Sequence, residues 1–302
     1  MTGPNLHLDS TVGCFFIGTV LATQIYGVTC AQTLYYSRRY PNDPLFLKGL
    51  VGVLWVLDSV ATILTIEYLY YFLVEGHGNP IKLTNLPATG IVEYIISSLV
   101  VIIAQFYYLA TIWRLLTGKS YRLVLTVVAV AIALVSCACG FGNAYEAFKD
   151  PTNPGVYSKT RVTASIQPVT ASVVDVYITL VLIWILRKER IGFRNNESVV
   201  RRLIFFIVNR GILTALVQTG QATAYLAAST NVLYWSIFHF PGSHIYVNSL
   251  LAMLNARQNI KEEKAMEMRY IDSRTRPSME PVVMLSTEVV TDSDSFHGRP
   301  HY

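Results

Sequence analysis

Charged residues are scarce in this 302-residue chain, 14% against 52% hydrophobic, with a mean hydropathy of +0.40. A soluble core of this size does not need so much apolar surface, so the excess faces something other than water. Cysteine is scarce as well. Cys14, Cys30, Cys137 and Cys139 all lie inside apolar runs, so they make neither a secreted disulfide framework nor a zinc-ligand spacing, and they read as buried thiols. No Lys or Arg precedes the first apolar run, which is too long for a signal-peptide core, so that segment is expected to be retained. Neither a Gly-rich phosphate loop nor a nucleophile elbow occurs, which speaks against nucleotide-driven transport and serine hydrolysis. No lysine lies between Lys188 and Lys261, so a retinal Schiff base in the last span is excluded. A zinc-dependent intramembrane hydrolase, the one enzymatic alternative, needs a third ligand beside His239 and His244, and no third histidine lies at membrane depth. The chain therefore reads as a non-enzyme, with no cofactor and no metal expected.

What is present is a series of apolar runs, each long enough at 1.5 Å per residue to cross about 30 Å of hydrocarbon. They lack the two-residue alternation of a transmembrane barrel. The expected fold class is all-α, an integral membrane bundle of seven transmembrane helices. A short extracellular N-terminus, residues 1–11, precedes spans at about 12–36, 49–73, 91–116, 121–148, 168–186, 203–228 and 232–256, and residues 257–302 read as a disordered cytoplasmic tail. Lys149 to Gln167, with Pro151, Pro154 and Gly155, reads as a loop, and Pro241-Gly242 predicts a kink or a delayed helix start in the last span. The small residues of span four suit close helix packing.

With the N-terminus outside, 19 of the 24 Lys and Arg residues fall on cytoplasmic segments and 4 on outer loops, Arg210 lying within a span. That asymmetry predicts N-outside, C-cytoplasmic orientation and makes the +5 net charge a topology signal rather than a nucleic-acid footprint. The basic loops favour an anionic inner leaflet, hence the plasma membrane over internal membranes. Expected partners are the bilayer, a small-molecule ligand and cytoplasmic proteins that bind the tail, with no nucleic acid. The sequon Asn196-Glu197-Ser198 falls in a cytoplasmic loop and is expected to stay unmodified.

Ionisable and amide side chains inside hydrocarbon are costly, so each is a candidate for ligand or ion binding and each has a packing alternative. Asp58 lies near the middle of span two, with Thr62 and Thr65 on the same face. His244, Asn248 and Asn255 form one stripe of span seven, at a depth that suggests a hydrogen bond between Asp58 and Asn248 around a cation or proton. A neutral Asp58 that merely fixes helix packing is the alternative. Arg210, Thr214, Gln218, Gln221 and Tyr225 share a face of span six; Arg210 reads first as a side chain snorkelling to the cytoplasmic interface, and Gln218 and Gln221 as lining groups. Asp175 with Ser172 and Thr179 makes a further patch in span five. Glu67 and Glu93 stand near Tyr68, Tyr70, Tyr71 and Tyr94, which read first as an interfacial aromatic belt and second as a ligand cage. One face of span three carries Tyr94, Ser98, Gln105 and Tyr108, for lining or for packing.

Several stretches resemble a known family. They are LATQIYGVTCAQTLYYSRRYPND and KGLVGVLWVLDSVATIL in the first half, then SVVDVYITLVLIW, ILRKERIGFR, VNRGILTALVQ and, most specific, YVNSLLAMLNAR at Tyr246 to Arg257. On these the chain resembles the fungal multi-pass membrane proteins of mushroom-forming basidiomycetes whose C-terminal region, here 172–257, is the domain of unknown function 6534. His244 departs from the common form, which often carries a lysine there. The resemblance implies seven spans and a fungal source and brings no activity, ligand or catalytic residue. Architecture alone then favours a receptor-like or sensory protein, although the Asp/Glu-Arg-Tyr and Asn-Pro-x-x-Tyr signatures of rhodopsin-like receptors are absent. The alternatives are a small-molecule or ion carrier or channel using the intramembrane acids, and a structural membrane scaffold.

Overall fold

In the computed structural model, residues 10–76, 85–190, 197–227 and 233–275 are described, and they form seven long helices. These are α1 (Val12–Arg39), α2 (Leu45–Tyr70, continued by a π-helical turn Tyr71–Glu75), α3 (Ala88–Leu115), α4 (Arg122–Lys149), α5 (Asn153–Arg190), α6 (Glu197–Ala227) and α7 (Ser236–Thr275). The chain divides into two compact units, residues 1–260 and 261–302, and the described part of the second is the end of α7.

The expected loop before span five is helical from Asn153 onward. Pro154 sits in the first turn, where its missing N–H would have had no partner in any case, so it starts the helix rather than breaking it. The last helix starts at Ser236, ahead of Pro241, so its start is not delayed. It also continues to Thr275 through residues expected to be disordered, because the run Lys261 to Arg269 is made almost wholly of strong helix formers. Pro277 follows the helix end by two residues, where a proline disfavours further helix. Residues 276–302 and most of the expected N-terminal segment lie outside the described residues. Between α3 and α4 the turn is tight, and Gly118 takes φ 84°, a left-handed value that favours glycine.

Six helices, α1 to α6, contain stretches long and apolar enough to cross a membrane. Their outward faces expose Val28, Val56, Ile63, Val127, Leu134, Val173, Leu180 and Leu216, an apolar surface suited to a bilayer. By the same measure α7 is not apolar enough, and its surroundings explain why. Residues 239–247 are all buried, so this helix meets other helices on every side and can carry polar groups that lipid would penalise.

α1 and α7 run in the same direction. The Leu233 N–H donates to the Ser10 carbonyl at one end (3.0 Å). Further along, Asn248 Nδ2 donates to the Ile25 carbonyl (3.0 Å) and Asn255 Nδ2 to the Gln32 carbonyl (3.0 Å), two contacts seven residues apart on both helices. At the far end Arg257 binds Asp43 (2.5 Å), which also accepts from Tyr36 (2.8 Å), while Tyr40 donates to the Asn255 carbonyl (2.8 Å). Burial pulls the Arg257 pKa down, but pairing with Asp43 outweighs it and the net shift is upward. The two asparagines and the arginine of YVNSLLAMLNAR are thus accounted for as fastenings to α1 and to the α1–α2 turn. Apolar packing continues the same seam, with Tyr246, Val247, Leu250, Leu251 and Leu254 against Leu54, Val100 and Ala104.

Candidate functional site

Three buried acid–base clusters converge on α7. Midway along the bundle, His244 Nδ1 lies 2.7 Å from Asp58 Oδ1, both side chains almost wholly excluded from solvent. Asp58 therefore pairs with the histidine rather than with Asn248. Asn248 turns to α1 and donates to the Ile25 carbonyl and Thr29, because four residues advance it about 40° past a full turn from His244, toward that helix. Thr62 spends its hydroxyl on the Asp58 backbone carbonyl (2.8 Å), and Asp58 Oδ2 has no partner among the described residues.

The second cluster joins α5, α6, α3 and α7. Arg210 Nη2 meets Asp175 Oδ1 at 2.8 Å, and the Tyr246 hydroxyl donates to Asp175 Oδ2. Gln105 approaches Asp175 at 3.4 Å and donates to the Ala171 carbonyl (3.2 Å), while Gln218 donates to the Tyr246 hydroxyl (3.3 Å). The Arg210 guanidinium also lies over the Tyr108 ring, 3.9 Å from its centroid. Arg210 does not snorkel: its side chain is 3% exposed, because Asp175 and the Tyr108 ring offer it a partner and a surface inside the bundle. The α6 backbone approaches α5 closely here, for a Cβ placed at Gly211 would collide with the Thr179 hydroxyl.

The third cluster lies at the end where α1 begins. His239 Nε2 is 3.1 Å from Glu93 Oε2, its Nδ1 is 3.3 Å from Gln221 Nε2, and Ser97 donates to Glu93 Oε1 (2.6 Å). The His239 ring stacks on Tyr94 (centroids 4.8 Å, planes 17° apart) and meets Trp235 and Phe240 edge-on. Tyr94 hydrogen-bonds Gln167, which donates to Ser98 (2.9 Å), and Asn143 donates to the Tyr94 hydroxyl (3.2 Å).

A cavity of about 80 Å³ opens beside this third cluster, between α2, α3, α4, α5, α6 and α7. Its wall combines Tyr68, Tyr94, Tyr225, Trp235 and Phe240 with Glu93, Asn143, Gln221 and His239. A smaller cavity of about 30 Å³ adjoins it through Gln221 and His239 and reaches Gln105, Gln218, Ser136 and Gln167. Largely apolar walls with a few converging polar groups are the usual chemistry of a small-molecule site. Among the described residues no group of three His, Cys, Asp or Glu side chains is placed to hold a metal ion.

Of the residues singled out in the sequence, Asp175, Arg210 and Gln218 meet in one cluster, Asp58 and His244 in another, and Gln221 in the third, whereas Asn248 faces α1. In the sequence Glu93 stood out only as an acid near the outer end of its span beside several tyrosines, and His239 only as one of two span histidines, too few for a zinc site. The signal that links them is weak, an intramembrane acid with Ser97 one turn on and a histidine five residues before His244. Tyr246 offered no such signal, since nothing in a sequence says that a tyrosine hydroxyl will reach an aspartate on another helix.

No curated protein and no solved structure matches the chain. Residues 171–259 match the family model described as a family of unknown function (DUF6534), and in this chain that stretch of α5, α6 and α7 holds Asp175, Arg210, His239, His244 and Tyr246.

Proposed function

We propose that the chain is a seven-span receptor-like or sensory membrane protein, N-terminus outside and without catalytic activity of its own, that takes a small molecule into the cavity beside Glu93 and His239. The observation that carries this reading is the position of His239. It stands in the cavity wall and also on α7, the enclosed helix that five and seven residues later bears His244 and Tyr246 of the two deeper clusters. A ligand that rearranges His239 acts directly on the helix that fastens α1, α2, α3, α5 and α6 together. The shared direction of α1 and α7 supports an odd span count, and the basic helix ends support a cytoplasmic C-terminus.

Glycosylation acceptors placed at the N-terminus and, separately, beyond residue 275 test the topology. The reading expects modification of the first only, with Asn196 bare; modification of both or of neither means an even span count and removes it. Ligand binding is tested on protein in nanodiscs by thermal unfolding against a library of small amines, alcohols and esters. At least one compound is expected to raise the unfolding temperature of the wild type and to lose that effect in Ala144→Leu and Ala164→Leu, which fill the cavity. A library without a hit, or hits indifferent to both substitutions, would sink the reading.

The smaller cavity favours a second reading, a carrier, because its polar walls lead from His239 inward to Gln105 and Gln218 at the Asp175 cluster. Uptake into vesicles that depends on Asp58 or Asp175 would put the carrier first.

A further inference from the structure

The charge of the cavity wall narrows the ligand class, on the reading that this cavity is the ligand site. Glu93 is its only acidic residue, and no Lys or Arg lines it among the described residues. The Glu93 carboxylate accepts one hydrogen bond on each oxygen, from Ser97 and from His239, out of about four that such a group can accept. Two acceptor positions therefore remain on a carboxylate that is 3% exposed. Much of the remaining polar wall is committed elsewhere, Tyr225 to Thr160 (3.0 Å), Asn143 to Tyr94 and Thr163, Tyr94 to Gln167 and Gln221 to His239, which leaves the Tyr68 hydroxyl and the Trp235 indole N–H as its neutral donors. A ligand that needs several neutral hydrogen-bond partners finds few here. One that carries positive charge finds a carboxylate with spare acceptors and aromatic rings, whose π-faces attract cations.

Size favours a compact group. At about 80 Å³, roughly half the 150 Å³ of an engineered apolar cavity that holds benzene, the cavity suits a group of a few heavy atoms. We propose that Glu93 and the rings of Tyr68, Tyr94, Tyr225, Trp235 and Phe240 form a site for a small alkylammonium group, either a free ion or the headgroup of a phospholipid. The ammonium takes up the open acceptor positions of Glu93 and competes with His239 for the carboxylate. Occupancy of the site then bears on α7 through His239. The imidazole keeps its bond to Gln221 and its stack on Tyr94 when it yields the acid.

The test uses the full chain in phosphatidylglycerol nanodiscs, titrated with methylammonium and tetramethylammonium chloride at constant ionic strength and with tert-butanol as a neutral probe of similar bulk. Thermal unfolding is the readout. A saturable stabilisation by at least one cation is expected, at least tenfold tighter than by tert-butanol and at least tenfold weaker in Glu93→Gln. Trp235→Leu, which removes an aromatic wall and leaves the carboxylate, serves where Glu93→Gln does not fold, and is expected to weaken the cation severalfold. Adding phosphatidylcholine separates the sources: unchanged cation affinity identifies the free ion, and competition identifies the lipid headgroup, both in support. Cation binding of equal strength in both variants overturns the site. Equal binding of tert-butanol overturns the charge preference and leaves the cavity reading standing on the Ala144 and Ala164 variants. No binding by either cation overturns the proposal, and the library screen decides the receptor reading by itself.

Discussion

Arg210→Met is expected to destabilise the bundle by about 3–5 kcal/mol, the range for removing one partner of a buried ion pair. Asp175 would then lie wholly buried with the Gln105 amide and the Tyr246 hydroxyl as its remaining partners, and a carboxylate so placed is held charged only at high cost. Asp175→Asn alone is expected to cost a similar amount, since among the described residues Arg210 already has two nitrogens, Nε and Nη1, without hydrogen-bond partners and would lose the acid that balances it. The double variant should recover most of the loss. Both charges are gone, the methionine occupies much of the arginine's place against the Tyr108 ring, and the asparagine oxygen still accepts from Tyr246. Reversible unfolding in mixed dodecyl maltoside and SDS micelles measures the cycle. Additive single costs would mean that the two charges do not depend on one another, and the account of this cluster as a coupled pair would be wrong.

Gly18→Ala is expected to cost about 1–3 kcal/mol, the usual range for overpacking a tight contact. A Cβ at this position would lie 2.7 Å from the Ser236 carbonyl oxygen and 3.0 Å from Phe240 Cδ2. The nearer obstacle is backbone at the start of α7, which cannot rotate aside, so α1 must move from α7 at the end that holds the cavity. Gly27→Ala is the internal control, nine residues along the same helix, where none of the described residues comes within 4 Å of the added methyl. It is expected to be neutral or stabilising by up to about 1 kcal/mol, because alanine loses less backbone freedom in a helix. Gly211→Ala is expected to cost at least as much as Gly18→Ala, for its Cβ would meet three atoms of the short, β-branched Thr179 side chain, and Thr179→Ala should relieve it in part. The order is read from unfolding midpoints in the same micelles. A Gly18→Ala protein as stable as Gly27→Ala would show that α1 and α7 do not approach as described.

How much of the candidate site was legible depended on whether the signal was local. Asp58, Asp175, Arg210, Gln218, Gln221 and His244 stand out in any reading because polar groups are rare in apolar runs, and the structure buries all six. Their partners were not legible. Depth along a helix suggested Asp58 with Asn248, but pairing depends on rotation about the helix axis, and a difference of one turn plus about 40° sends Asn248 to α1 and leaves His244 facing Asp58. Snorkelling of Arg210 was a fair expectation for a side chain near a membrane end. It failed because the acid that holds Arg210 lies 35 residues away on another helix. The boundaries of α5 and α7 moved for the opposite reason. Proline and charge were read as breakers, whereas a proline in a first turn and a run of Lys, Glu, Ala and Met are compatible with helix on local grounds.

The sequence by itself determined the class of solvent and the kind of element: long apolar runs with few charges can satisfy their backbone in lipid only as helices, and each such run does so within itself. It also determined which few side chains would be expensive to bury, since that cost belongs to the residue and not to its neighbours. Only the tertiary structure decided which helix became the enclosed one and therefore why α7, the least apolar of the seven in this respect, can carry His239, His244, Asn248 and Asn255. It also decided that Glu93, His239 and Tyr246 belong to the site. Those assignments rest on contacts between residues up to 223 positions apart, and such contacts follow from how helices rotate and approach rather than from the pattern within any one of them.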